Sequence, residues 1–259
     1  VLEVYNSQGF QLPERGPIGS NGLANTRDFL HPVAWCVDKA GYRQQCRILT
    51  KCSSQLFQKM SDHSPYNVVA WHGNYLPYKY DLTRFCAVGS VSYDHLDPSI
   101  YTVLTCPSDQ TGTAMADFVI FPPRVMATDS NTLRPPWFHR NTMSEFMGLI
   151  EGQYDAKGGS VEGGASLHNC MTPHGPDRES YTKAVEDPCE NPVQFNGGLA
   201  FMFETCLQLS VAPNAVDNLE WRDIEYAACW DGLTDNFSGW DLMDRAQIDR
   251  AFRRSKSSV

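Results

Sequence analysis

The chain has 259 residues, 42% hydrophobic and 20% charged, with a formal net charge of −9 at pH 7. This is ordinary globular composition, enough for one large domain or for one domain and part of another. The acidic balance, with cations clustered only at Arg250, Arg253, Arg254 and Lys256, leaves no surface to neutralise phosphates and excludes nucleic acid as a partner; no apolar run approaches the ~20 residues needed to span a membrane.

In chain order, Val1-Leu2-Glu3-Val4-Tyr5 reads like the middle of a strand, so the chain is expected to be a piece of a longer protein. Residues 8–36 are rich in Gly, Pro and Asn and read as a long loop anchored by Leu12, Ile18, Leu23 and Phe29. β-prone runs follow at 67–71, 86–93, 100–105, 116–121, 149–154 and 199–211, most of them bounded by Pro, Gly, Asn or Asp. Polar residues and Gly at 108–113 separate two strand groups, which predicts a division into residues 1–110 and 111–259. Trp221, Ile224 and Ala228 recur at i, i+3 and i+7 and predict a helix; residues 241–254, acidic at the start and basic at the end, predict another. The expected fold is mostly β, a sandwich or jelly roll with a few helices.

Nine Cys lie far apart with no C-x-x-C pair. A zinc ribbon or a dense disulfide framework does not fit that spacing. Free thiols in a reducing compartment, the cytoplasm, are the expectation.

Of the seven His, three fall together with Glu145: His139, His168 and His174. Two imidazoles and one carboxylate form the facial triad of non-haem Fe(II), which leaves three positions for O₂ and a bidentate substrate. Spacing sets a condition. His139 and Glu145 are six apart, which on a straight strand separates them by about 20 Å and on a helix turns them about 240° from each other. Neither geometry lets them hold one ion. The chain must bend between them, and Asn141-Thr142 is the place for it. His168 and His174 repeat the separation, with Pro173 between them. Spacing alone leaves a metal centre and a set of scattered structural histidines both open. Lys157 is open in the same way, toward a substrate carboxylate or toward solvent.

Ordered blocks along the chain carry more. They include the run from Gly16 through Asn25, Asn67 through Tyr75, Asp97 through Ile100, Ala116 through Arg124, Arg134 through Ile150, Ser166-Leu167-His168, Met171 through Asp177, and Ala200 through Glu204. In these blocks the sequence resembles the homogentisate 1,2-dioxygenase family, over roughly residues 1 to 210. The resemblance implies a cupin-like β fold in which 1–110 is the remainder of an N-terminal β domain and 111–259 is the iron-binding catalytic domain. It implies Fe(II) held by His139, Glu145 and His174, with no organic cofactor. It implies His95 as the catalytic base, and His174, Tyr154, His168 and Asn141 at the substrate. The activity implied is opening of the homogentisate ring with O₂ to maleylacetoacetate, in a homo-oligomer built from trimers that pair into hexamers. Trp137-Phe138 before His139 and Glu162 before Gly163-Gly164 depart from the family pattern. They raise the alternative of the same chemistry on another gentisate-like or hydroquinone substrate. A third reading, a non-catalytic cupin-like module used for assembly, is separated from both by metal content and turnover.

Overall fold

The computed structural model describes residues 8–13, 24–31, 44–53, 55–65, 78–85, 101–127, 138–187 and 192–234. Its centre is a five-stranded antiparallel sheet in the order β3-β4-β9-β6-β7. These strands are β3 (Thr102–Pro107), β4 (Ala114–Phe121), β6 (Ser144–Gly152), β7 (Ala165–His168) and β9 (Gly198–Thr205). Two smaller antiparallel pairs accompany it, β1 (Cys46–Cys52) with β2 (Gln55–Ser61) and β5 (Arg124–Ala127) with β8 (Val193–Phe195). Two short helices follow late in the chain, α1 (Arg178–Glu186) and α2 (Pro213–Asp217). The mostly-β, cupin-like expectation agrees with this architecture. The polar stretch 108–113 forms the turn between β3 and β4, which pair with each other.

Cross-strand register decides what each sheet face carries. Residues opposite one another share a face. Val119 pairs with Met202, Met202 with Met147, Phe121 with Ala200 and Ala200 with Leu149. These residues, with Tyr101, form one apolar cluster, in which Val119 is fully buried. The alternate residues Ile120, Phe118 and Phe201 point the other way and join a second cluster with Ala24, Phe85 and Val103. Both faces of β4 and β9 are therefore covered. That explains why these strands read as nearly continuous apolar runs instead of alternating with polar residues. Gly148 is where this second face closes tightly, since a β-carbon there would run into the Phe201 ring.

The helix expected from Trp221, Ile224 and Ala228 is corrected. Residues Leu219–Trp221 and Tyr226–Trp230 form two separate 3₁₀ turns, and Trp221 and Ile224 are 69% and 71% exposed. Their spacing imitates an amphipathic stripe, but no core lies beneath it. The strand runs expected at 67–71 and 86–93, and the helix at 241–254, lie outside the described residues. Among the described residues no helix is long and apolar enough to cross a membrane. Cys46, Cys52, Cys106, Cys170, Cys206 and Cys229 are free thiols, in line with the expectation.

Candidate metal centre

Two turns and the start of one strand assemble the centre. His139 and His174 face each other as an isolated antiparallel bridge. The His139 N–H donates to the His174 carbonyl at 2.7 Å and the His174 N–H returns to His139 at 2.8 Å. Beyond His139 the chain bends where the spacing demanded. Asn141 Oδ1 accepts the Met143 N–H at 2.7 Å, an Asx turn, and β6 then opens with Ser144 and Glu145. After β7 the chain reverses through Met171, which sits at φ 63°. The Met171 N–H donates to the Asn141 carbonyl at 2.8 Å, and the chain comes back at His174. The Ser144 hydroxyl ties the two turns together, donating to Asn169 Oδ1 and accepting the Cys170 N–H, each at 3.1 Å. One donor atom from each of His139, Glu145 and His174 thereby comes within 4.8 Å of the others.

The electrostatics of this cluster favour a cation. Glu145 and His174 are both buried. His174 Nδ1 lies 2.8 Å from the Thr172 carbonyl, which can only accept, so Nδ1 carries a hydrogen. His174 Nε2 lies 3.0 Å from Glu145 Oε2. Burial pulls the His174 pKa down, but the bonds to Glu145 and Thr172 outweigh it and leave the pKa raised. Burial likewise pushes Glu145 up, and the His174 bond and charge, the Asn141 amide and His139 outweigh it, holding the carboxyl below its usual range. The proton on Nε2 thus stands where a metal ion would stand. An ion would release that proton and take the Nε2 lone pair and the carboxylate oxygen together. Asn141 Nδ2 donates to Oε1, the other oxygen of Glu145, and so fixes the carboxylate's orientation. Hard carboxylate and imidazole donors suit Fe(II), and no thiolate belongs to the cluster.

From the cluster a cavity of about 540 Å³ runs along the Met147–Met202 face of the sheet. That size is in the range of small-molecule sites. Asn141, Tyr154 and His168 all line it. His168 stands opposite Glu145 in the β6–β7 ladder, and its ring lies flat on that of His174 at 4.2 Å and 1°. Burial, and then the neighbouring His174 and Lys157, lower the His168 pKa to about 4, so this imidazole is neutral at pH 7. Tyr154 packs edge-on to Phe121 at 5.9 Å. Burial, then the Asp155 carboxylate, push its hydroxyl pKa well above the ordinary value, so it remains a neutral donor. His95 lies outside the described residues, as does His72.

The sequence reading missed one wall. Tyr226, in the second 3₁₀ turn, lines the cavity. Its hydroxyl lies 3.1 Å from His168 Nε2 and also accepts a hydrogen bond from Lys157 Nζ. Behind it the Trp230 indole N–H donates to the Gly175 carbonyl at 3.1 Å. A 3₁₀ turn leaves no sustained periodicity to find. The cluster of Tyr226, Cys229 and Trp230 was the available signal. The departures at Phe138 and Glu162 prove peripheral. Phe138 packs on Trp230 at 5.5 Å, Glu162 accepts the Gly152 N–H at 2.9 Å, and neither lines the cavity. Trp137 lies outside the described residues. The alternative that rested on these three residues is not favoured.

Comparison with known proteins agrees with the geometry. Residues 83–237 match the family model described as homogentisate 1,2-dioxygenase C-terminal, and residues 1–82 match its N-terminal counterpart. The match therefore runs beyond residue 210, where the motif resemblance fades. Homogentisate 1,2-dioxygenase of Oryza sativa subsp. japonica is 53% identical over 242 residues, which is 92% of this chain and 50% of the relative. That of Dictyostelium discoideum is 54% identical over 237 residues, 91% of this chain and 54% of the relative. That of Mus musculus is 51% identical over 242 residues, 92% and 53%. The chain spans about half the length of the curated relatives it matches.

Proposed function

The chain belongs to the homogentisate 1,2-dioxygenase family, and from that premise we propose that it acts as an Fe(II)-dependent dioxygenase opening the ring of homogentisate to maleylacetoacetate. Both atoms of O₂ enter the product. The observation that carries this reading is the convergence of His139, Glu145 and His174 within 4.8 Å at the edge of the cavity.

In this reading those three residues hold the iron on one side, and the cavity receives the substrate on the other. When bound, Fe(II) supplies a Lewis acid for the ring hydroxyl and an electron path to O₂. Asn141 and the Thr172 carbonyl keep Glu145 and His174 aimed at one point. Met147, Leu149, Phe121 and Met202 offer the ring an apolar surface and keep water from it. His168 and Tyr154, both neutral, present polar atoms that orient the substrate and meet developing negative charge. His95 takes the proton of the ring hydroxyl as general base, a role to which an imidazole is chemically suited. Assembly as a trimer or hexamer and a cytoplasmic location belong to the same proposal.

The test is O₂ consumption by the full-length, iron-loaded protein with homogentisate. Uptake matched by product formation is expected; absence of uptake with a full iron complement overturns the reading.

A further inference from the structure

The wall formed by the second 3₁₀ turn bears on which side chain the substrate carries. Lys157 lies in the loop between β6 and β7, half-buried, and lines the cavity. Its ammonium sits over two aromatic rings, 3.9 Å from the Tyr226 centroid and 4.6 Å from that of Trp230. One of its three N–H groups goes to the Tyr226 hydroxyl. Among the described residues no carboxylate lies within 4.0 Å of it.

The arginine of the cavity lining and the carboxylate nearest the Lys157 loop are already committed. Arg124 is paired with Asp155 at 2.7 Å. Asp177, which feels the Lys157 charge, is engaged by the N–H groups of Ser180 and Gly158 at 2.6 and 2.7 Å. Lys157 is thus the cation of the cavity lining that lacks a protein counter-ion among the described residues. Its position relative to the metal cluster is also fixed. The Tyr226 hydroxyl that it holds is 3.1 Å from His168, whose ring stacks on His174. A ring bound at the metal by one oxygen can therefore extend a short side chain toward this ammonium.

We propose that Lys157, clamped by Tyr226 and Trp230, binds the carboxylate of the substrate and so selects aromatic rings that carry an anionic side chain. The inference rests on the ring-cleavage reading above and assigns the residue that gives it specificity. Tyr226 is a positioning residue here, since it aims the ammonium and does not itself neutralise the acid.

The experiment compares homogentisate with its methyl ester, which keeps the ring and both hydroxyls but removes the charge. Full-length, iron-loaded wild type, Lys157→Met, Lys157→Arg and Tyr226→Phe are measured. Lys157→Met is expected to lower kcat/KM for the acid about 10- to 100-fold, mostly through KM, as loss of one charge-assisted hydrogen bond implies. The value for the ester stays within about threefold. Lys157→Arg retains most of the preference for the acid, and Tyr226→Phe weakens it. An acid-to-ester ratio in Lys157→Met equal to wild type overturns the proposal and puts the carboxylate elsewhere, on the metal above all. Should Lys157→Met fail to fold, an unchanged ratio in Tyr226→Phe overturns it equally. Anaerobic calorimetric titration with the acid and the ester separates the two readings. If the wild type turns over neither compound, the ring-cleavage reading fails, while a Lys157-dependent binding preference still supports the carboxylate site. Equal binding of acid and ester by wild type overturns it.

Discussion

The two walls of the cavity are made by opposite means. On one, Glu145, Met147, Met202 and His168 take their places from ladder register, with β6 bonded to a neighbour on each side. On the other, Tyr226 and Lys157 sit in turns, joined through one hydroxyl, with the Lys157 ammonium over the Tyr226 and Trp230 rings and Trp230 anchored behind them by its indole N–H on the Gly175 carbonyl. A position in a ladder moves only if the sheet moves. A position held by a single side-chain bond moves when that bond is lost. Glu145 thus lies on stiff ground, His139 and His174 are held by their own paired bridge, and the Lys157 side of the cavity is the adjustable one.

Four changes break or sharpen this contrast, taken from the largest effect down. Glu145→Ala removes the carboxylate from the cluster. Iron content and O₂ uptake should both fall below detection, while the circular dichroism stays that of the folded wild type; a full complement of iron in this variant would refute the assignment of the stiff wall. Arg124→Met strikes the cavity lining itself. The Arg124 and Asp155 side chains are 7% and 16% exposed, and Asp155 Oδ1 already lacks a partner. Stranding that carboxylate should cost about 3–5 kcal/mol, read from the denaturant midpoint.

Asp177→Ala tests the seam between the walls, because this side chain caps α1 and also holds the Gly158 N–H next to Lys157. The expected loss is about 1–2 kcal/mol. Burial would raise the Asp177 pKa, but the Ser180 and Gly158 N–H groups outweigh burial and lower it. Its contribution is therefore complete above the unfolded value of about 3.9 and vanishes as pH falls through the lower folded value. The stability gap between wild type and variant should be flat near neutrality and close only in acid. A gap that instead widened on acidification would contradict the cap. Trp230→Phe is the mildest. It deletes the bond to Gly175 and should cost about 1 kcal/mol in a thermal melt, with iron binding unchanged. Loss of iron in this variant would mean that the walls are not independent.

What the sequence revealed follows the same division. His139, Glu145 and His174 could be picked out by residue type, and the six-residue spacings required bends, which stand at Asn141 and around Met171. The strands at 102–107, 114–121 and 198–205 were legible because apolar, β-prone residues dominate them, whereas β6 was read only from residue 149 onward, past the half that carries Glu145. The β1–β2 hairpin was not. Its side chains are largely exposed, Leu56 at 70% among them, so no hydrophobic pattern marks it. The helix α1 hid because its sequence RESYTKAVE buries no residue; only the Asp177 cap announces it. The turn carrying Tyr226 and Trp230 was obscured by an apolar spacing that imitates a helix.

The two-sidedness of β6 carries an evolutionary consequence. Odd-numbered positions from Glu145 to Leu149 serve the cavity, while Phe146 packs with Phe201 of the neighbouring strand on the other face of the sheet. Deleting or inserting a single codon ahead of this strand, with pairing kept, would exchange the parity of every residue in it. The acid would be driven into grease and a phenyl ring delivered to the iron. Lineages can therefore trade residues within this strand far more freely than they can change its length.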